Sequence, residues 1–359
     1  MSAVAVRPGT PHSLHVRTDV PVPRSGGDVV VVRVLQAGVC GTDVEIDQGL
    51  FGEAPGGCDY LVLGHENLGV VESCPPGCGL SPRDLVVSTV RRGCGESCAA
   101  CAAGRSDLCL TGRFSERGIR RRHGFMSEWY AEEPDYLVRV PSALRAAAVL
   151  MEPLSIVEKG IDQALYLSER LDWGPRTAVV LGAGPVGLLA ALVLRLRGLS
   201  VNVAALEPEG SPRDLLLREA GIRYLSTAAA PIEELPARVG RVDLVFEATG
   251  ATAAVVPAMS ILGPNGVCVL SSVTAGHRAL PVDVAAWNQE MVLGNHVVFG
   301  TVNAARLHFE AGVRDMELAE ARYPGWLSRL ITRRVPFTDA VGAIVHRPDD
   351  IKTVLEFAS

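Results

Sequence analysis

Residues 177–194, TAVVLGAGPVGLLAALVL, decide the fold. A short apolar run, 177–181, leads into glycines at 182, 184 and 187, and an unbroken apolar stretch from Leu188 to Leu194 ends at Arg195. Strand, turn and helix in that order give the glycine spacing its meaning. Gly182 permits the tight turn, Gly184 lets backbone approach a pyrophosphate, and Gly187 lets helix and strand pack closely. The helix N-terminus then turns free amides and partial positive charge toward phosphates. Ala183 and Val186 fill the variable positions, and Pro185 stands near the first helical position, where its missing N–H is harmless. Gly182–Gly187 therefore reads as a dinucleotide-binding turn.

Downstream the texture alternates: VNVAAL, a polar helix, VDLVFEA, another helix, VCVLSS and HVVFGT. Continuous apolar strands separated by helices predict a doubly wound parallel sheet of the Rossmann type. Glu207 ends the second of these strands, about twenty residues after Gly187, where a carboxylate accepts both ribose hydroxyls of NAD and repels a 2′-phosphate. This favours NAD over NADP, although Arg213 follows closely enough to meet a phosphate.

Upstream, from Asp28 to Val90, short β-branched runs (VVVVRVL, LGVVES, DLVVSTV) alternate with Gly/Pro-rich turns and predict a β-rich domain. At 359 residues, with 48% apolar and 21% charged side chains, the chain is long enough for two cores. The pattern turns helical beyond Asn303, and that tail packs back on one of the two domains. A net charge of −6 disfavours nucleic-acid partners. The N-terminus has no apolar leader and no apolar stretch is long enough for a membrane span. Nine cysteines in such a chain point to metal ligation or buried thiols in a reducing cytoplasm rather than to disulfides.

Four of those cysteines, Cys94, Cys98, Cys101 and Cys109, fall within RRGCGESCAACAAGRSDLC. Four thiolates in one loop close a tetrahedral zinc shell and leave no position for substrate, so this zinc is structural. A second set is dispersed: Cys40 in GVCGTDVE, His65-Glu66 in LGHENLGVV, and Glu152 in LMEPLS. A mixed thiolate, imidazole and carboxylate shell can keep a coordination position open, as catalytic zinc requires. The spacing alone does not connect these residues. Cys268, in a predicted central strand, reads as packing, and Cys58, Cys74 and Cys78 receive no role.

The order of GHE at 64–66, the four-cysteine lobe and the glycine turn resembles the zinc-dependent medium-chain dehydrogenase/reductases over nearly the whole chain. Further strings resemble its archaeal-type glucose 1-dehydrogenase branch: CGTDVE (40–45), VRR (90–92), FSERGIRRRHGFMSE (114–128), EPLSIVEK (152–159) and GTVN (300–303). The resemblance implies a GroES-like catalytic domain, 1–158, completed by 306–359, and a Rossmann domain, 159–305. It implies Cys40, His65, Glu66 and Glu152 as catalytic-zinc ligands, and Thr42 as the hydroxyl that bonds the substrate alcohol and starts proton release. Glu116, Glu152 and Asn303 fall where sugar hydroxyls are held, and Ser272, Val273, Thr274, Thr301, Val302 and Asn303 where the nicotinamide half is held. A homodimer or homotetramer is expected from the family. The lobe departs from the family in its C-x₃-C first spacing, which implies a one-residue bulge.

The expected reaction transfers the C1 hydride of a glucose-like aldose to NAD(P)⁺ and gives an aldonolactone. The alternatives are the same chemistry on a polyol, aminocyclitol or secondary alcohol, and, from another class, a non-catalytic zinc-binding interaction protein.

Overall fold

The computed structural model describes residues 1–359 other than 25, 96, 97, 170, 172, 173, 274–278, 346 and 359. It forms two compact units: Met1–Ser155 with Asn303–Glu317 and Leu327–Ser359, and Ile156–Val302 with Leu318–Trp326.

The first unit is built on the strand Val30–Val39, which pairs antiparallel with Glu66–Ser73, Trp129–Glu132 and Lys352–Glu356. Outward from these lie Leu85–Ser88 with Leu137–Val140 on one side and Ile331–Pro336 on the other. Val30, Val32, Val34 and Ala37 are fully buried and join Val71, Val86, Tyr130 and Leu355 in one core. Every strand buried here removes apolar area from water at about 25 cal/mol per Å², so the register that buries these residues is strongly fixed. That register sets Gly38 opposite Glu66.

The tail departs from the helical texture expected of it. After the helix Arg306–Arg322 it supplies the strands Ile331–Pro336 and Lys352–Glu356, the second of which pairs with Val30–Val39. The segment 306–359 is also divided rather than joining the first unit whole. Leu318–Trp326 belongs with the second unit, where the buried Trp326 donates its indole N–H to Leu216 O at 2.8 Å. A large aromatic that buries its ring and satisfies its only donor is a strong local anchor.

The second unit is a six-stranded, all-parallel sheet in the order Arg223–Ser226, Ser200–Ala205, Thr177–Leu181, Leu244–Glu247, Val267–Leu270, Val297–Gly300. Its first strand, RYLS, was not visible as an apolar run. The helix Pro185–Leu196 is buried from Gly187 to Leu194, and Cys268 is buried in the sheet. Among the described residues no helix is long and apolar enough to cross a membrane.

Candidate active site

Cys40 ends the central strand region and caps the short helix Gly41–Asp47. Its Sγ accepts from Thr42 N at 3.5 Å while Asp43 Oδ2 accepts from Cys40 N at 2.9 Å, a reciprocal cap that fixes the thiol's direction. Asp43, fully buried, also accepts from Gly64 N through Oδ1 at 3.3 Å and stands 3.8 Å from His65 Nδ1. One side-chain carboxylate thus joins the loop of Cys40 to the loop of His65.

Glu66 opens the strand Glu66–Ser73 and lies against Gly38. A Cβ added to Gly38 would stand 1.9 Å from Glu66 Oε2, so only glycine leaves room for this carboxylate. Lys352 Nζ, from the tail strand, donates to Glu66 Oε1 at 2.6 Å and to Val39 O at 3.1 Å. Ligand atoms of Cys40, His65 and Glu66 all lie within 4.8 Å of one another. Glu152, in the first turn of the helix Met151–Ser168, is not in that group but is within electrostatic reach of it.

Asp43 and Lys352 escaped the sequence reading. Asp43 had a faint signal, its capping position three residues after Cys40. Lys352 had none, because it reaches the site only through sheet pairing.

The charges describe a site built for a cation. Burial lifts the Glu152 carboxyl to about 7, with His65 and Lys352 opposing and Glu66 reinforcing the rise. Burial disfavours the charged form of His65, yet the Cys40 thiol, Asp43 and Glu152 together hold its pKa well above the ordinary value. Among the described residues, His65 Nδ1 and Glu66 Oε2 are buried and find no hydrogen-bond partner. Buried polar atoms left unpaired are costly unless something else binds them. A thiol, an imidazole and carboxylates around one lysine fit a divalent zinc ion.

Glu116 and Asn303, far apart in the sequence, meet in the first unit. Asn303 Nδ2 donates to Glu116 Oε1 at 3.0 Å, and both side chains are nearly buried. Asn303 holds φ +59°, a left-handed conformation uncommon for a non-glycine residue and concentrated at functional sites.

The four lobe cysteines do come together, within 4.8 Å. Cys94 Sγ and Cys101 Sγ are 3.9 Å apart, close to the roughly 3.8 Å edge of a tetrahedron with 2.3 Å zinc–sulfur bonds. Cys98 caps the short helix Ala99–Ala102 and accepts from Cys101 N at 3.5 Å. The Thr111 hydroxyl pulls the Cys109 thiol down to about 6, whereas burial pushes Cys101 up to about 12. Cys94 joins the cluster despite the longer first spacing; residues 96 and 97 of that spacer lie outside the described residues.

In the second unit the glycine turn has the expected form. Gly182 sits at φ +100°, and a Cβ on Gly187 would be 2.1 Å from Gly182 O. Gly184 caps the helix Pro185–Leu196 with no side-chain hydrogen bond, so its first amides stay open. Glu207 pairs with Arg213 and accepts from the Tyr224 hydroxyl at 3.2 Å. Thr301 Oγ1 is buried with no hydrogen-bond partner among the described residues, while Val273 and Val302 are exposed and Lys159 Nζ donates to Val302 O at 2.9 Å. Ser272 is described; Thr274 lies outside the described residues.

A family model described as glucose dehydrogenase C-terminus matches residues 145–357, and one described as alcohol dehydrogenase GroES-like domain matches 26–142. The chain is 44% identical to a glucose 1-dehydrogenase of Methanocella arvoryzae over the whole of both chains. It is 43% identical to glucose 1-dehydrogenase 1 of Caldivirga maquilingensis, covering 99% of each. Among solved structures it is similar, with TM-score 0.91, 33% identity and full coverage of both chains, to Haloferax mediterranei glucose dehydrogenase in complex with NADP, Zn and gluconolactone. With one family model spanning more than half its length and full-length relatives above 40% identity, the chain belongs to the zinc-type medium-chain dehydrogenases, in their glucose dehydrogenase branch.

Proposed function

We propose that the chain oxidises C1 of a glucose-like aldose, passing the hydride to NAD⁺ in preference to NADP⁺ and giving the aldonolactone and a proton. The observation that carries this reading is the convergence of half-buried Cys40 with buried His65 and Glu66, their ligand atoms within 4.8 Å of one another, in the same unit as the Glu116–Asn303 pair. The relatives' names and the gluconolactone held by the Haloferax enzyme support the substrate class.

Cys40, His65, Glu66 and Glu152 are assigned as ligands of a catalytic zinc, with Glu66 binding only in some states of the cycle, so that one position opens to substrate. Cys94, Cys98, Cys101 and Cys109 are assigned to a structural zinc. Zinc bound at the first site supplies Lewis acidity toward the sugar hydroxyl, and a nicotinamide supplies the hydride acceptor. The chain's own part is binding, orientation and proton handling. Thr42, held beside Cys40 by the helix cap, accepts the C1 hydroxyl proton and releases its own toward solvent. Glu116, Glu152 and Asn303 take hydroxyls of the ring. Substrates without those hydroxyls are rejected, since buried polar groups would be left unpaired.

Gly182–Gly187 is assigned to the pyrophosphate, Glu207 to the ribose diol, and Ser272, Val273, Thr274, Thr301, Val302 and Asn303 to the nicotinamide half. The preference for NAD rests on the Glu207 carboxylate, which Arg213 and Tyr224 hold in place. A homodimer or homotetramer in the cytoplasm completes the reading. The partly exposed edge strand Val297–Gly300 and the exposed Val284, Val292 and Leu293 support that assembly.

A panel of aldoses, polyols, cyclitols and secondary alcohols, each with NAD⁺ and NADP⁺, tests it by absorbance of reduced cofactor. Aldose turnover faster with NAD⁺ is expected; turnover of simple alcohols alone sinks the sugar reading.

A further inference from the structure

We propose that Arg91 is a positioning residue for sugar binding, acting through Glu116. The inference rests on the sugar reading above and concerns a residue that reading does not use.

Arg91 and Glu116 are register partners in the antiparallel pair Arg91–Arg92 and Ser115–Arg117. Pairing sets their side chains on the same face. The guanidinium donates to Glu116 Oε1 through both Nε, at 3.0 Å, and Nη2, at 2.9 Å. Its Nη1 donates to Asp107 O at 3.0 Å, and its plane lies over the Phe114 ring, 3.8 Å from the centroid. The Arg91 carbonyl in turn accepts from Ser106 Oγ at 3.3 Å. Edge, face and backbone of Arg91 are therefore all engaged, and the group is rigid before any ligand arrives.

Glu116 is held unevenly. Oε1 takes both arginine N–H groups and the Asn303 amide, whereas no described residue donates a hydrogen bond to Oε2. A carboxylate has lone pairs on both oxygens, so with three donors gathered on Oε1 it is Oε2 that stays the open acceptor. A hydroxyl donor on a polyhydroxylated ligand meets that need with a charge-assisted bond. Buried side by side, the carboxylate and the guanidinium form an ion pair at 2.9 Å, and removing either leaves the other without its partner.

Placement points the same way. A Cβ on Gly118, two residues beyond Glu116, would stand 2.4 Å from Gly64 O, so the turn carrying Glu116 rests on the backbone just before His65. Arg91 thus reaches from the turn Ser106–Leu108, beside Cys109, to a carboxylate whose own turn packs on the backbone leading into His65.

The test uses wild type, Arg91→Gln, Arg91→Lys, Glu116→Gln and the double variant Arg91→Gln/Glu116→Gln. Steady-state KM and kcat are measured with the best aldose of the panel, alongside cofactor KM, zinc per chain and melting temperature. Direct aldose binding is read by calorimetry without cofactor. Arg91→Gln is expected to raise aldose KM and Kd by about 10-fold or more, with cofactor KM and zinc content unchanged and no further loss in the double variant beyond Glu116→Gln. Arg91→Lys keeps the charge but not the Asp107 bond or the stacking, and should raise aldose KM by roughly 3-fold with most of the stability kept. Aldose KM within twofold of wild type in Arg91→Lys and Arg91→Gln overturns the inference, as does full additivity with Glu116→Gln. If Arg91→Gln fails to fold, Arg91→Lys decides alone. A wild type that turns over no aldose fails the sugar reading instead, which separates the two.

Discussion

The two metal-competent clusters of this chain are built on opposite plans. The lobe draws four sulfurs from sixteen consecutive residues, Cys94 to Cys109, and spends every donor on one closed shell. The second cluster draws Cys40, His65 and Glu66 from separate loops and strands. It keeps buried atoms without partners and depends on Lys352, at the far end of the chain, to hold one carboxylate. A closed shell of identical ligands can be written locally, because the metal itself supplies the geometry. An open shell of mixed ligands needs outside support to stay open, and that support comes from sheet register and buried side chains.

Removing Cys40 is the sharpest way to break this contrast. Cys40→Ser should lower kcat/KM by about 10³-fold or more, several kcal/mol of lost transition-state stabilisation. One zinc should remain per chain, and the melting temperature should stay near wild type. A zinc-free Cys40→Ser protein would mean that the two sites do not stand apart.

The lobe's flank gives the next effect. Arg92, Arg117 and Arg122 surround the buried Glu132 carboxylate, with Arg92 bonded through two nitrogens. Burial pushes Glu132 up, but Arg117 and Arg92 overcome it and hold the group at about 2. Burial works against Arg117 as well, bringing it to about 10 despite Glu132. Both stay charged at neutral pH, and the carboxylate sets the acid limit. Against an unfolded value of about 4.3, its lowered pKa contributes about 3 kcal/mol that is complete above that value and lost as pH falls toward 2. Urea midpoints at pH 7 and pH 3 should therefore differ more for wild type than for Glu132→Gln. The variant should also be about 3 kcal/mol less stable at pH 7, because it leaves buried guanidiniums unpaired.

Cys101→Ser sharpens the contrast from the lobe side. It should cost roughly 2–3 kcal/mol, a fall of about 5–10 °C in melting temperature. Zinc should drop to one per chain, with aldose turnover retained below the transition. Loss of turnover without loss of stability would show that the lobe serves the chemistry directly.

Smallest is the cofactor effect. Glu207→Gln should narrow the ratio of kcat/KM for NAD⁺ over NADP⁺ by about 10-fold, since a neutral amide no longer repels a 2′-phosphate. An unchanged ratio would move the preference elsewhere, with Arg213 the first residue to examine because it already pairs with Glu207.

The amino-acid sequence determined the parts whose physics is local. The strand, glycine turn and apolar helix at 177–194 follow from periodicity and from positions that only glycine can fill. The lobe follows from four thiols in one loop. It also carried the identity of Cys40, His65 and Glu66, though only through resemblance, since nothing in their spacing joins them. Tertiary structure alone decided that Gly38 stands opposite Glu66, that Asp43 links the Cys40 and His65 loops, that Lys352 returns to the site, and that Arg91 and Asn303 share one oxygen of Glu116. It also made strands of the tail, where 331–336 and 352–356 gain their order from the neighbouring strands. The reason is common to all of these: each depends on which strand lies beside which, and that is settled by burying a whole sheet rather than by any single segment.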